Sequence, residues 1–211
     1  LIPKHKFKDP KLKWLDPCCG SGYFSMVLYK LLFENLPIKD EEEKHNHIIM
    51  NMLYMVEINE EHLPLLKVIF GEKANIKCEN FLETTGSYDM IIGNPPFNCN
   101  GAIKVPTNKS ISKKSDGVSI WQLFIKHSLQ LLKKRTGCLT FITPSIWLKS
   151  DHSMFEFMIQ YNIKKIKTMT NTETNKIFHG QAQTPTCYFT LTKNKISQFP
   201  IYKPIPIYDK A

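Results

Sequence analysis

This chain of 211 residues contains almost no arginine. Of its 28 basic residues, only Arg135 is an arginine, and the others are lysines. A guanidinium group can read guanine with two hydrogen bonds, whereas a lysine ammonium acts as a point charge suited to phosphates. The 28 basic residues exceed the 19 acidic ones and give a net charge of +9. This positive charge favours a polyanionic partner. Because the charge comes almost entirely from lysine, we expect it to bind backbone phosphates and to recognise G·C pairs poorly.

Long hydrophobic runs and paired cysteine motifs are also missing. No apolar run reaches the roughly 18 residues that a membrane-spanning helix needs, so we expect no membrane association. The six cysteines show no CxxC motif or disulfide-scaffold spacing, which predicts reduced thiols in the cytoplasm or a similar compartment. A composition with 42% hydrophobic and 22% charged residues is typical of a globular domain and excludes disordered and fibrous classes.

Hydrophobic patterns alternate between strand and helix periodicity along most of the chain. Strands are predicted at 11–16, 48–57, 75–79, 88–92, 138–143, 163–169 and 186–191, and helices at 23–35, 60–70, 120–134 and 151–161. We interpret 39–47 as a charged loop and 170–185 as a connection without a helix. The order predicts an α/β fold with a doubly wound, mostly parallel seven-stranded sheet and an antiparallel terminal strand. One domain is expected over residues 1–195, followed by a proline-rich tail or linker at 196–211.

A glycine-containing loop follows the first predicted strand, where ligands bind in open α/β sheets. It reads Asp16-Pro17-Cys18-Cys19-Gly20-Ser21-Gly22. Gly20 and Gly22 let the backbone turn tightly and approach a ligand. The third glycine of GxGxxG and a following GK[ST] are both missing, so nucleotide phosphates match poorly. The carboxylate of Asp16 suits a cationic group instead, and Glu57 at the end of the second strand can accept hydrogen bonds from two ribose hydroxyls.

Two segments carry a resemblance to a known family. DPCCGSGYF at 16–24 resembles motif I (DPxxGSGxF), and NPPF at 94–97 resembles motif IV ([DNS]PP[YFW]), of the S-adenosylmethionine-dependent methyltransferases that modify adenine in the DNA of restriction-modification systems. The resemblance implies a Rossmann-like class I methyltransferase fold with S-adenosylmethionine as the cofactor. It implies cofactor binding by Asp16, Pro17, Gly20, Ser21, Gly22, Phe24, Glu57, Ile58, Asn80 and Phe81. Family members usually carry Asp where this chain has Asn80, whose amide oxygen would accept from the adenine of the cofactor more weakly.

The residues of the second motif suit methyl transfer to an exocyclic amine. The side-chain oxygen of Asn94 and the carbonyl of Pro95 can accept from the two N–H bonds and stabilise the positive charge that grows on nitrogen. Pro95 and Pro96 hold this turn rigidly, and Phe97 offers a face for stacking an extruded base. This chemistry needs no metal, and we predict no metal site. Asn94, Pro95, Pro96 and Phe97 are therefore the predicted catalytic residues.

Substrate contacts are predicted on two further segments. The polar loop 98–119 carries Lys104, Lys109, Lys113 and Lys114, which either contact phosphates or belong to a solvated loop. Phe178 lies in a block that resembles the last conserved segment of the family, where an aromatic packs beside the flipped base. A core of this size has little surface for reading several base pairs, so we expect a target-recognition domain or subunit to be supplied from outside it.

The resulting hypothesis is an adenine-specific N6 DNA methyltransferase whose partner is DNA. The same two acceptors also fit cytosine N4, adenine in RNA and the side-chain amide of glutamine in a protein. A non-catalytic scaffold that retains the methyltransferase fold is the alternative from another functional class.

Overall fold

The predicted strands assemble into one seven-stranded sheet in the computed structural model, which describes residues 2–98, 119–180 and 184–195. The strands are β1 (Trp14–Asp16), β2 (Leu53–Glu57), β3 (Asn75–Cys78), β4 (Met90–Gly93), β5 (Cys138–Pro144), β6 (Tyr161–Met169) and β7 (Thr186–Lys195). Their order is β3-β2-β1-β4-β5-β7-β6. Strands β1 to β5 pair in parallel, and β7 runs antiparallel to both of its neighbours. The predicted α/β fold with an antiparallel terminal strand is confirmed.

Within the described residues, six α-helices connect or flank the strands. They are α1 (Tyr23–Asn35), α2 (Glu41–His47), α3 (Leu63–Phe70), α4 (Trp121–Leu131), α5 (Ser153–Ile159) and α6 (Asn171–Ile177). Two hydrophobic clusters form the core, one on each face of the sheet. Helices α1 and α3 contribute to the cluster around Trp14, Met55 and Met90. Helices α4 and α5 contribute to the cluster around Ile91 and Phe141. In the part of the chain that the structure describes, no helix is long and apolar enough to cross a membrane.

The prediction for residues 39–57 was wrong in two respects. The charged segment forms α2, because the carboxylate of Asp40 accepts the backbone N–H of Glu43 at 2.7 Å and caps the helix start. The next five residues, Ile48–Met52, form a π-helix with buried apolar side chains, and the strand begins only at Leu53. A hydrophobic run of this length fits either structure, so its pattern could not separate them.

The connection between β6 and β7 was wrongly predicted to lack a helix. Thr170 and Glu173 form a reciprocal capping box at the start of α6, with the Thr170 hydroxyl oxygen accepting from the Glu173 backbone at 3.2 Å. Thr174 is the buried residue of this helix, and its hydroxyl bonds that of Thr186 at 2.9 Å. This polar burial explains why no apolar stripe marks α6 in the sequence.

Gly22 joins the glycine loop to the helix layer. It is the residue before α1, with a φ of 90°, and a Cβ atom built on it would lie 2.9 Å from Cδ2 of Leu66 and 3.1 Å from Cε2 of Phe70. Because both neighbours belong to the packed core, neither can move freely. The start of α1 can therefore lie this close to α3 only because residue 22 has no side chain.

We expect Gly22→Ala to destabilise the protein more than Gly20→Ala. Both positions have positive φ, which costs a non-glycine residue about 1–2 kcal/mol, but a Cβ atom on Gly20 meets nothing within 4 Å. Overpacking against α3 should add about 1–3 kcal/mol at Gly22 alone. Urea unfolding of the two variants measures the difference. Equal losses of unfolding free energy would contradict the close packing described for Gly22.

Candidate active site

The carboxyl ends of β1, β2, β3 and β4 meet at one edge of the sheet, and the predicted site residues lie along this edge. β1 ends at Asp16, β2 at Glu57 and β4 at Gly93, directly before the Asn94 turn. Since these four strands are parallel neighbours, their ends are brought within reach of a single ligand. The topology therefore places both motifs beside each other although they are distant in sequence.

Asp16 is a buried carboxylate with 1% of its surface exposed. The hydroxyl of Ser25 donates to Oδ2 at 2.7 Å, and the backbone N–H of Cys18 donates to Oδ1 at 3.4 Å. Burial raises the pKa of Asp16 from 3.8 to about 6, with a smaller contribution from the negative charge of Glu57, while the two hydrogen bonds oppose the shift. A buried carboxylate with a raised pKa gains from a cationic ligand beside it.

Glu57 links the end of β2 to the glycine loop. Its Oε2 accepts the backbone N–H of Gly20 at 2.7 Å, and its Oε1 accepts that of Asn59 at 2.8 Å. The carboxylate is nevertheless part of the lining of an open cleft. A carboxylate has about four acceptor positions, so two remain for hydroxyl donors after these two bonds.

Gly93 allows the turn Asn94–Phe97 to lie directly against the glycine loop. A Cβ atom on this residue would lie 3.0 Å from Cδ of Pro17 and 3.2 Å from Oδ1 of Asp16. The thiol of Cys18 lies beside the backbone of Asn94, and both residues line the same cleft, which brings the two motifs together. Enclosure raises the pKa of this thiol well above its ordinary value, so it stays neutral and contributes packing.

Asn94 carries the most informative polar atom of the site. Its Oδ1 is shielded from solvent and has no hydrogen-bond partner in the part of the chain that the structure describes. A buried acceptor without a donor is costly, which makes it a candidate for a ligand contact. Pro95 beside it is buried, Pro96 is exposed, and Phe97 is half-buried and packs against the core cluster of α4 and α5.

These residues surround a cleft of about 570 Å³. Seven of the predicted site residues line it, namely Pro17, Glu57, Ile58, Asn80, Phe81, Asn94 and Pro96. Its wall also includes five residues that the sequence analysis did not assign to the site: Cys18, Glu79, Asn98, Ile120 and Phe124. The volume is in the range of small-molecule sites, and apolar walls with a few polar groups are typical of them.

Phe124 is the clearest residue that sequence reasoning missed. It lies on α4 with its ring centroid 4.9 Å from that of Phe81, and both rings contribute to the cleft wall. Phe124 is also a core residue with 6% of its surface exposed, so its position in a helical stripe indicated packing alone. Nothing in the local pattern distinguishes a core aromatic that also faces a cavity.

Asn80 lines the cleft, but its side chain is already engaged. Its Oδ1 accepts the backbone N–H of Leu82 at 3.1 Å, and its Nδ2 donates to Glu83 at 3.1 Å. The predicted contact with the adenine of the cofactor would have to use the second lone pair of Oδ1. The neighbouring carboxylate of Glu79 also faces the cleft and accepts from the hydroxyl of Thr84 at 2.8 Å.

Several predicted site residues lie away from this cleft. Phe24 instead lines a separate apolar cavity of about 480 Å³ with Ile92 and Tyr188. Six predicted site residues are close in sequence to the cleft residues but are not part of its wall: Asp16, Gly20, Ser21, Gly22, Pro95 and Phe97. Phe178 follows the last residue of α6 and lines neither cavity. Lys104, Lys109, Lys113 and Lys114 lie outside the described residues.

The residues of the cleft fit the predicted methyl donor, together with Asp16 and Gly20 of the adjoining glycine loop, which are not part of its wall. Asp16 suits a cationic ammonium group, Glu57 retains acceptor positions for hydroxyls, and the space in front of Gly20 contains no protein atom within 4 Å of a built Cβ. The aromatic and aliphatic wall suits a purine ring. Bound there, S-adenosylmethionine would supply an electrophilic methyl group.

Solved structures of restriction-modification proteins share this fold. A structure of a type I R-M system gives a TM-score of 0.65 at 16% identity, covering 92% of this chain and 42% of that one. The M protein of the type I restriction enzyme EcoKI gives 0.62 at 15% identity, covering 92% and 45%. A putative class I S-adenosylmethionine-dependent methyltransferase from Listeria monocytogenes gives 0.57 at 16% identity, covering 96% and 59%. The chain thus has the class I methyltransferase fold and spans less than half of each of the two restriction-modification structures. No curated protein matches it.

The family is established by a match that is independent of these superpositions. The model of the Eco57I restriction-modification methylase family matches residues 23–178, well over half of the chain. The matched region begins with α1, includes the turn Asn94–Phe97 and ends after α6. The predicted S-adenosylmethionine-dependent methyltransferase of the restriction-modification type is confirmed at the level of family and fold. The chain therefore belongs to the Eco57I restriction-modification methylase family.

Proposed function

We propose that this chain is the catalytic core of a methyltransferase that transfers a methyl group from S-adenosylmethionine to the N6 amine of adenine in DNA. The observation that carries the proposal is the shielded Oδ1 of Asn94, a residue of the cleft wall, which has no hydrogen-bond partner among the described residues. Family membership supports the methylase activity, and the charge of +9 supports a nucleic acid substrate.

The adenine amine is a weak nucleophile because its lone pair is delocalised into the ring. In the proposed reaction, Asn94 Oδ1 and the carbonyl of Pro95 accept from its two N–H bonds and draw the nitrogen towards tetrahedral geometry. The N–C bond to the methyl group forms as the C–S bond of the cofactor breaks. The surplus proton leaves the nitrogen afterwards, so no strong base is required before attack.

The cofactor is proposed to lie in the cleft between Glu57 and the Asn94 turn. Glu57 would accept from the ribose hydroxyls through its remaining lone pairs, and Phe81 with Phe124 would contact the adenine ring. Asp16 would hold its charge opposite the cationic methionine end. The solved type I structures belong to larger systems, and a specificity domain or subunit acting with this core is part of the proposal.

We expect Asn94→Ala to lower methyl transfer by at least about 100-fold while cofactor binding persists, because it removes an acceptor that strengthens in the transition state. Tritium transfer from labelled S-adenosylmethionine to unmethylated plasmid DNA, RNA of matched length and bulk protein measures the effect. Asn51→Ala is the matched control, since Asn51 is exposed and precedes β2 at the opposite edge of the sheet.

Label released from DNA as N6-methyladenine and lost in Asn94→Ala is the expected result. Label on RNA or protein instead of DNA would contradict the proposed substrate. Cofactor binding by calorimetry without transfer to any substrate, and unchanged by Asn94→Ala, would favour the scaffold alternative. The assay is repeated with the full-length protein, which supplies any specificity domain.

A second prediction follows from the raised pKa of Asp16. If the cationic end of the cofactor requires the ionised carboxylate, affinity should fall about tenfold per pH unit below pH 6 and level off above it. Calorimetry with S-adenosylmethionine between pH 5 and 8 tests this. Asp16→Asn should bind more weakly above pH 6 and lose the pH dependence, whereas the exposed Asp151→Asn should match the wild type.

The same shift has a consequence for stability with a defined sign. Because the pKa is about 6 in the native state and 3.8 ordinarily, the native state holds this proton more tightly than the unfolded chain. The contribution of Asp16 to the free energy of unfolding therefore falls by about 3 kcal/mol as pH rises from 4 to 6 and is constant above. Asp16→Asn should remove this fall, and a fall of the same size in Asp16→Asn would contradict the assignment.

A further inference from the structure

A third group approaches the carboxylate of Glu57, in addition to the two backbone donors described above. Next to its carboxylate lies His62, the last residue of a 3-10 helix (Glu60–His62) that leads into α3. The Nδ1 atom of His62 lies 3.4 Å from Oε1 of Glu57. Residue spacing alone does not reveal this contact, because the two residues are five positions apart across an irregular turn.

The Nδ1 atom of His62 is in an unusual environment. It is shielded from solvent and makes no hydrogen bond to any described residue, although 38% of the His62 side chain remains exposed. A buried imidazole nitrogen without a partner is costly, and the Glu57 carboxylate is within ion-pair distance of it. A small rotation of either side chain would convert this contact into a charge-assisted hydrogen bond.

We propose that His62 is a positioning residue that fixes the carboxylate of Glu57 and thereby sets the affinity for the ribose of the cofactor. This inference rests on the proposed function, in which Glu57 accepts from the ribose hydroxyls. Gly20 anchors Oε2 from the side of the glycine loop, and Asn59 anchors Oε1 from the end of β2. His62 approaches Oε1 as a third group and restricts rotation of the carboxylate away from the cleft.

The test compares His62→Ala with His62→Asn by calorimetry on the same chain. The probes are S-adenosylhomocysteine and its analogue without the two ribose hydroxyls. Alanine removes the nitrogen, whereas the side-chain amide of asparagine can place an N–H near the position of Nδ1. His5→Ala is the control, because His5 is an exposed residue before β1.

We expect His62→Ala to weaken S-adenosylhomocysteine binding about tenfold and the analogue less than twofold, since the analogue cannot donate to Glu57. His62→Asn should recover most of the affinity, and His5→Ala should match the wild type. Equal weakening of both ligands, or no rescue by asparagine, would reduce His62 to a structural role and overturn the proposal. Unchanged binding in His62→Ala would overturn it as well.

Failure of the proposed function gives a different result. If the wild-type chain binds neither ligand, the cleft is not a cofactor site, and the inference about His62 falls with it. If the wild type binds both ligands equally well, the ribose contact of Glu57 is excluded while cofactor binding stands. Should His62→Ala unfold, which thermal melting reports, His62→Leu replaces it, because leucine fills the position without a nitrogen, and unchanged selectivity for the ribose hydroxyls in that variant would overturn the proposal.

Discussion

The close approach of β4 to the loop after β1 is the constraint on which the site depends. The two strands pair directly, and Gly93 leaves just enough room for Pro17 to lie against the end of β4. This contact sets the Asn94 turn beside the thiol of Cys18 and makes one wall from two motifs. A larger residue at Gly93 would separate the group proposed to activate the substrate from the loop proposed to hold the cofactor.

The two carboxylates beside the glycine loop differ in how far hydrogen bonds compensate for their burial. Glu57 accepts two backbone N–H groups, which compensate for its burial. Asp16 has one strong donor, the hydroxyl of Ser25, and its pKa is raised. A buried acid that is not fully compensated reduces stability, and such groups concentrate at functional sites because a ligand can complete them. The unpartnered Oδ1 of Asn94 belongs to the same class of group.

The sequence predictions failed where local polar chemistry decided the conformation. Segment 39–47 is helical because Asp40 caps it, and α6 exists because Thr170 and Glu173 cap each other. Neither helix has the apolar stripe by which helices are recognised in a sequence. The π-helix before β2 was wrongly predicted as a strand for the opposite reason, since a continuous apolar run fits helix and strand alike.

The alternation of apolar patterns, the glycine loop and the rigid turn at Asn94 are local properties of the chain. From them the sequence alone determined the fold class and the family resemblance, and the turn at Asn94 led to the proposed pair of acceptors. Only the tertiary structure decided which of these residues share a cleft. In the structure, Phe24 lines another cavity, and the side-chain amide of Asn80 is already hydrogen-bonded to its neighbours. Phe124 lines the cleft and His62 lies beside Glu57, although neither was predicted to belong to the site. The physical reason is that turns and strands follow from short stretches of backbone chemistry, whereas contacts between distant residues follow from how whole elements pack.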